Sequence, residues 1–544
     1  MTVPFAFSRL ADGIRAWARC LEAGAIILAA CLISLLFKLD NNWDLRNYHI
    51  YSPFAFWEGR VSRDLYAAGP QTYFNPLLDL PYYILAVRLI PDMPRLVAFL
   101  SGIPFGLLGL TVLSLARVVL PPAIKGGNWL AIGAAAAGMT GTATTSEIGT
   151  TFGDIPVAIL LLVGLIGPFA LLRDDQIDLA RWLRGVLVAG FLIGAAAGLK
   201  LTACIFAPGA ALALALTVGG TRRFLLTGMV FCAAWAVGFG IAFGWWGLTV
   251  YRIFGNPVFP FLNNIFESPW VPPAGGRDDR FLPQGLWEAL FFPFFWLRGR
   301  PFVVAEFGVR DPRAALAYIS VIIIIADAAW RRLRGVAAQS RIAGKPVIAL
   351  CVFSVISFVV WEKMFSILRY ALALEVVTGI LIVLALLILL EKLPRDHTAG
   401  WRTVAIVSAV LAMIFAVSSR PGWGRIRTYG AAVFEVEGPM LPDRAVVVFA
   451  DRPTAFIAPF LKGHDLLFVG IADGSAGSRL DEEISRRIKA RPSIMAVIYR
   501  PPAAYETITR NFGFRILDAS CTPIHNVYEK ALAICSGEKT DLDH

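Results

Sequence analysis

The sequence predicts a polytopic α-helical membrane protein of about eleven spans with a small α/β domain at its C-terminus. Three observations lead there. Only 16% of the 544 residues are charged and 57% are hydrophobic, where a soluble globular protein carries about 25% charged residues. Apolar runs of about 17–25 residues recur down the chain, each long enough to cross about 30 Å of hydrocarbon. Beyond residue 420 the pattern changes to short β-branched runs alternating with amphipathic stretches, the signature of strands and helices in a layered unit.

Hydropathy places the spans near 21–38, 96–119, 128–145, 155–173, 184–199, 201–218, 224–247, 313–330, 346–361, 370–391 and 402–419. Arg9, Arg15 and Arg19 precede the first apolar run, which ends near Phe37. That run is long, and no A-x-A cleavage site is followed by a soluble chain, so it reads as a span and not as a secretory signal. With the N-terminus in the cytoplasm, every even-numbered loop is basic. These loops hold Arg117 and Lys125; Arg173, Arg181 and Arg184; Arg222 and Arg223; Arg331, Arg332, Arg334, Arg341 and Lys345; and Lys392, Arg395 and Arg402. Positive loops remain cytoplasmic, so membrane topology accounts for the net charge of +11. No basic stripe interleaved with aromatics is present, which excludes nucleic acid as a partner and leaves membrane lipids.

Three pieces fall outside. The loop 39–95 contains PLLDLPYYILAVRLI (76–90). That stretch is short and holds Asp79 and Arg88, so it predicts an interfacial or re-entrant helix. The loop 248–312 is rich in Pro, Gly, Trp and Phe, and its aromatics suit a membrane–water interface. FLPQGLWEALFFPFFW (281–296), with Trp287 and Phe291, reads as an element that closes over a lipid. The chain thus divides into a membrane part, 1–419, and a soluble extracytoplasmic domain, 420–544. In that domain RAVVVFAD, DLLFVGI, IMAVIYR and FRILDA read as strands, while PTAFIAPFL, SRLDEEISRRIKA and PPAAYETITRNFG read as helices. The alternation predicts parallel strands. No Gly-rich phosphate loop follows the first strand, so no nucleotide site is expected. Cys521 and Cys535 are the only cysteines of the domain; they are either a disulfide, in an oxidising compartment, or two free thiols. There is no internal repeat, which weighs against an inverted-repeat transporter.

Ionisable groups beside a bilayer are costly and default to functional candidates. The richest cluster follows the first span: KLDNNWDLRNYHIYSPFAFWEGR, with Asp40, Asp44, Arg46, His49 and Glu58 among Trp43, Tyr48 and Tyr51. The spacing predicts a short helix opened by Asp44 with both tyrosines on one face. A plain capping role is the alternative reading of Asp44. Further along lie SEIGTTFGDIP with Glu147 and Asp154, GAAAGLKLT with Lys200, YRIFGNPVFPFLNN with Arg252 and Asn256, and ILRYALALE with Arg369 and Tyr370. Glu375, within the tenth span, is expected to pair with a basic or backbone group and receives no function.

The stretch DLRNYHIYSPFAFWEG (Asp44 to Gly59) resembles the pattern of GT-C glycosyltransferases, which include protein O-mannosyltransferases, the aminoarabinose transferase of lipid A and oligosaccharyltransferase catalytic subunits. Members often carry Asp-Glu at the start; here Asp44-Leu45 stands instead. QTYFNPLLDLPYY (Gln71 to Tyr83) is similar to the Pro-Leu motif of the first outer loop, and Arg369-Tyr370 to an Arg-Tyr motif. The resemblance implies a GT-C-like fold in a bacterial-type inner (plasma) membrane. It also implies transfer of a hexosyl or pentosyl unit from a polyprenyl-phosphate lipid to a glycan, lipid or protein acceptor. On this reading Asp44 is the general base, with Asp40 as its alternate. Asp154 orients the acceptor or helps hold a cation. Lys200, Arg369, Tyr370, Arg252 and His49 face the donor phosphate, and Tyr48, Glu147 and Asn256 line the acceptor groove. Two carboxylates also suit Mg²⁺ or Mn²⁺, and some members need no metal, so the cofactor stays open. Interfacial snorkelling is the alternative for Lys200 and Arg369, solvation for His49, and a fixed turn for Arg252 and Asn256.

Three other classes compete. A transporter or flippase expects ionisable groups near the midplane, whereas the acidic cluster lies at one face. A ligase moving a whole glycan would use outer arginines such as Arg277, Arg280, Arg298, Arg300 and Arg310. A scaffold is the blandest reading.

Overall fold

A computed structural model of the chain describes residues 3–121, 126–174, 176–276, 278–334, 342, 344–391, 399–471 and 478–540. Of the basic residues named above, Lys125, Arg277, Arg341, Lys392 and Arg395 lie outside the described residues, as do the side chains of Arg9 and Arg15. Among the described residues nine helices are long and apolar enough to cross a membrane. They run Trp17–Phe37, Pro94–Val119, Asp154–Leu171, Leu179–Leu199, Thr221–Phe254, Arg313–Leu333, Lys345–Met364, Leu368–Glu391 and Gly400–Val417. The other two expected spans are shorter helices, Gly127–Met139 and Leu201–Thr217.

The helix Leu372–Glu391 is the hub, with nearly every side chain buried. Small residues let Gly127–Met139 lie directly on it. A Cβ on Gly138 would meet the Val376 carbonyl oxygen at 2.0 Å, and one on Gly379 would meet that of Ala134 at 2.1 Å. Backbone approach of this kind is how helices associate where water exerts no hydrophobic drive. The expected interfacial element forms as the short apolar helix Leu80–Leu89. In the loop 248–312 Trp287 is 73% exposed and packs on Phe291 with ring centroids 4.6 Å apart.

The C-terminal sheet contains β1 (Val446–Phe449), β2 (Leu467–Gly470), β3 (Ile494–Ile498), β4 (Phe514–Ile516), β5 (Thr522–Pro523) and β6 (Ala533–Lys539). Its order is β2-β1-β3-β6-β4, with β5 also paired to β6. β1 is parallel to β2 and to β3, as expected. β6 corrects the all-parallel expectation, because it runs antiparallel to β3, β4 and β5. A parallel return needs a crossover of about a dozen residues or more, and the short link 524–532 permits only a reversal. Cys521 and Cys535 are disulfide-bonded across that reversal.

The sheet is buried on both faces. Val447 and Phe449 pack with Phe456 and with Leu45, Tyr51 and Tyr83 of the loop 39–95. Val446 and Val448 pack with Leu480 and Ile484 of the helix Arg479–Lys489 and with Trp246 and Phe254. Leu65 of the loop 39–95 extends the β2 edge: its N–H donates to Phe468 O at 3.0 Å and its carbonyl accepts from Gly470 N at 3.1 Å. The polar loop after the first span is therefore held between the helix bundle and the sheet.

Candidate active site

The chain leaves the first span through Lys38, in the left-handed region, and turns at Asp40. The buried Asp40 carboxylate is fully engaged. It accepts from Asn42 N (3.0 Å), Asn42 Nδ2 (2.7 Å), Thr151 N (2.9 Å) and Thr151 Oγ1 (2.8 Å). Asn42 in turn accepts the Leu45 N–H through Oδ1 at 2.6 Å. Asn42 thus caps the following turn, and Asp44 makes no capping bond. That frees the Asp44 side chain, which accepts from Arg369 NH1 at 2.5 Å.

The turn Leu45–His49 is π-helical rather than the α-helical turn the spacing predicts, and Tyr48 and Tyr51 are both buried in one core. Tyr48 packs edge-on against Phe74 at 5.3 Å, while Tyr51 donates to Asp64 at 3.0 Å, toward the sheet. His49 Nδ1 meets Asp79 Oδ1 at 2.6 Å, both buried, and His49 Nε2 is buried without a hydrogen-bond partner.

Asp154 and Lys200 arrive from separate helices. Asp154 opens Asp154–Leu171 after Gly153, whose φ of 80° lets the loop turn sharply into the helix. Lys200 ends Leu179–Leu199. Lys200 Nζ donates to Asp154 Oδ1 at 2.6 Å and to Phe152 O at 2.8 Å, and lies 5.4 Å over the Tyr370 ring. The Arg369 guanidinium sits 4.6 Å over Phe152 and 5.1 Å over Tyr370. Cation–π contact with two rings keeps a long basic chain pinned where snorkelling would let it drift. Glu147 is buried beside this group; Glu147 Oε1 and Asp154 Oδ2 have no hydrogen-bond partner. A small cleft here is lined by Asp154, Thr202, Arg369 and Tyr370 together with the apolar Val157 and Phe206.

Charge is distributed unevenly among the carboxylates. Burial pushes Asp44 up, but Arg369, with His49 and Lys200 behind it, more than offsets this and holds the carboxyl below its ordinary value. Glu147 is driven well above its ordinary value, first by burial and then by the charge on Asp154. Burial also raises Asp40, against the opposing pull of Arg425. The cluster therefore holds Asp44 toward its carboxylate form beside Arg369 and pushes Glu147 toward its neutral form.

Asp44, Tyr48, His49, Glu147, Asp154, Lys200, Arg369 and Tyr370 are thus gathered at one end of the bundle. Arg252 and Asn256 are not joined to them by any described contact. Arg252 is exposed on the helix Trp245–Phe254. Asn256 clamps a turn, accepting from Val258 N at 2.9 Å and donating to Phe261 O at 2.9 Å. Among the described residues no three His, Cys, Asp or Glu side chains gather as ligands for a metal ion.

Glu375 finds the backbone partners expected of it; what sequence reasoning missed is its supporting role, and the buried Arg313–Asp311 pair. Glu375 accepts from Ala143 N (3.0 Å), Thr144 N (2.7 Å) and Thr144 Oγ1 (2.5 Å), anchoring the turn that ends at Glu147. Arg313 and Asp311 form a buried pair at 2.8 Å, and Asp311 accepts from Thr142 N and Oγ1. The available signal was an unexplained charge at or inside a span, at both Glu375 and Arg313. Asp79, partner of His49, counted earlier only as evidence against a span.

No family model and no curated protein matches the sequence. The fold does have a solved counterpart. It is similar to the crystal structure of ArnT from Cupriavidus metallidurans bound to undecaprenyl phosphate, with a TM-score of 0.53, 13% identity, and coverage of 97% of this chain and 99% of that one. Looser likenesses, which establish nothing further, are to apo ArnT (TM-score 0.48, 13% identity, 96% and 98% covered) and to the oligosaccharyltransferase AglB from Archaeoglobus fulgidus, solved with an inhibitory peptide and a dolichol-phosphate (0.44, 14%, 90% and 71%). The chain shares the fold of that ArnT structure, a polytopic helical membrane part with a small C-terminal sheet, as its sequence led one to expect.

Proposed function

We propose that this chain is an integral membrane glycosyltransferase that moves a hexosyl or pentosyl unit from a polyprenyl-phosphate donor to an acceptor hydroxyl at the outer membrane face, with Asp44 as general base. The observation that carries this reading is the meeting of two carboxylate–cation pairs in one buried cluster, Asp44 with Arg369 at 2.5 Å and Asp154 with Lys200 at 2.6 Å. Glycosyl transfer needs both kinds of group in one place. The ArnT structure that shares the fold holds undecaprenyl phosphate, and this supports the donor class. The membrane part, 1–419, then carries the chemistry in a bacterial-type inner membrane, N-terminus inside, with 420–544 outside.

In the reaction the acceptor oxygen bonds to the anomeric carbon while the bond from that carbon to the phosphate oxygen breaks. The hydroxyl proton passes to Asp44. The leaving lipid phosphate gains one negative charge, which Arg369 and Lys200 offset, Arg in bidentate fashion. Before the donor arrives, Arg369 holds Asp44 ionised and makes it a weak base. A donor phosphate that draws Arg369 toward itself removes that restraint, and burial then raises the proton affinity of Asp44 as the acceptor approaches. Glu147, pushed toward its neutral form by burial and by the charge on Asp154, can donate a hydrogen bond to an incoming oxygen.

The test is a panel of radiolabelled polyprenyl-phosphate sugars given to the purified protein in lipid, comparing wild type with Asp44→Asn. Transfer or sugar release falls by about 10²–10⁴-fold in the variant, the usual worth of a general base, while donor binding survives. Turnover persisting in the variant moves the base to Asp40 or Asp154. Donor binding and turnover absent across the panel returns the weight to a transporter or a glycan ligase.

A further inference from the structure

The loop 39–95 holds a second pair able to handle a proton, which the transfer step leaves unused. His49 ends the π turn, Asp79 precedes the helix Leu80–Leu89, and His49 Nδ1 meets Asp79 Oδ1 at 2.6 Å. Their side chains are 4% and 5% exposed. His49 Nε2 is buried with no hydrogen-bond partner, and a buried polar atom left unpaired costs about 1–3 kcal/mol. A carboxylate on one ring nitrogen orients the imidazole and stabilises the charge it acquires when the other nitrogen takes a proton.

The π turn decides what the ring faces. At 3.6 residues per turn, the five positions from Asp44 to His49 would make about 1.4 turns and direct the two side chains apart. The wider turn, bonded i→i+5, returns the fifth position toward the first. The charge balance at Asp44 agrees. Burial raises its carboxyl; of the groups that lower it, Arg369 comes first and His49 next, ahead of Lys200. Burial likewise raises Asp79, His49 and Lys200 lower it, and Asp44 adds its own repulsion. The imidazole thus serves two carboxylates, bonded to Asp79 and within the field of Asp44.

Glycosyl transfer leaves a proton to be removed. Once Asp44 has taken it, the carboxyl is neutral, and the ion pair with Arg369 at 2.5 Å cannot re-form until the proton goes. Few groups nearby can receive it. Lys200 and Arg369 are cations, and Asp154 answers the charge of Lys200. Glu147 is pushed toward its neutral form, which already carries a proton. Burial raises the Tyr48 phenol well above its ordinary value, so it keeps its own. The turn Ala455–Phe460, packed on the same π turn, has no ionisable side chain. That leaves His49 Nε2.

We propose that His49, positioned by Asp79, takes the acceptor proton on from Asp44 after each transfer and so resets the site. The Asp44 O–H bond breaks as the His49 Nε2–H bond forms, and Asp79 offsets the imidazolium charge. Asp44, a carboxylate again, re-pairs with Arg369, and Nε2 gives the proton to water as the product leaves. The role rests on the glycosyl-transfer reading and adds to it the step that restores the base.

The probe is the radiolabelled undecaprenyl-phosphate hexose or pentose that wild type turns over, followed by rapid quench with the full chain in nanodiscs. A group that resets the base acts after the first transfer, so the first turnover and the steady state respond differently to its loss. His49→Gln raises the ratio of first-turnover rate to steady-state rate by about 10²-fold or more, the usual worth of a proton-transfer group. Asp79→Asn raises the same ratio about tenfold, the worth of one hydrogen bond to a charged group. Asp44→Asn slows the first turnover itself. An unchanged ratio in His49→Gln, or first and later turnovers slowed alike, overturns the proposal and leaves glycosyl transfer standing. Asp79→Asn, read the same way, decides the matter should His49→Gln fail to fold. Wild type that turns over no hexose or pentose donor overturns the glycosyl-transfer reading and this proposal with it.

Discussion

Removing the Arg369 guanidinium tests the electrostatic core of the site, because its effect on stability has a predictable size and pH dependence. The Asp44 and Arg369 side chains are 11% and 20% exposed and 2.5 Å apart. Breaking a fully buried pair from one side costs about 3–5 kcal/mol. Partial exposure of the arginine and the nearby Lys200 reduce that to about 2–3 kcal/mol for Arg369→Met. The cost follows the ionisation of Asp44. In wild type the carboxyl is held below its ordinary value, so the pair contributes stability above the unfolded carboxylate range and loses it as pH falls through the folded value. In Arg369→Met burial acts with less opposition, the folded Asp44 value rises, and the penalty grows with increasing pH until the carboxyl ionises. The assay is thermal unfolding in nanodiscs at pH 4 and pH 7.5 for wild type, Arg369→Met, Asp44→Asn and the double variant. The expected result is a deficit for Arg369→Met at pH 7.5 that shrinks at pH 4. The double variant should be more stable than the sum of the singles predicts, since two unpaired charges no longer face each other's absence. Additive losses, or a deficit equal at both pH values, would refute the argument.

Two further outcomes follow from the same geometry. Glu147, raised well above 4.5 in the folded state, favours the fold when protonated and loses that advantage as pH rises above 4.5, so Glu147→Gln should gain on wild type in unfolding temperature between pH 4 and pH 8; a pH-independent difference would show that the side chain is already solvated. Glu375→Gln places an amide where two N–H groups and a hydroxyl now donate, and should destabilise by about 1–3 kcal/mol. It should also lower turnover through the Glu147 loop, and a variant with wild-type unfolding temperature and kcat would remove Glu375 from the supports.

Legibility in the sequence followed the range of the interaction. Spans such as Lys345–Met364 and Leu368–Glu391 were readable because about 20 apolar residues in a row have few alternatives to crossing a bilayer. β1, β2 and β3 were readable as short β-branched runs between turn residues. β6 was missed because AICSGEK mixes small and polar residues, and it pairs only after Cys521, β4 and β3 are brought beside it. The π turn over Leu45–His49 was missed because it leaves no mark in a local pattern of hydrophobicity.

The same division holds for the site. The sequence by itself determined which groups were costly enough to matter: Asp44, Glu147, Asp154, Lys200, Arg369 and Tyr370 stood out because charge and aromatic rings at span ends are expensive or interfacial wherever the chain folds. Only the tertiary structure decided their partners. Asp44 meets Arg369, 325 positions away; Asn42 relieves it of capping; Glu375 anchors the Glu147 loop from the buried hub; and Asp79 holds His49. The physical reason is that the energy of a charge depends on its burial and on the groups within a few ångströms of it. Burial and proximity on that scale are set by how distant helices and the sheet pack, which local sequence does not encode.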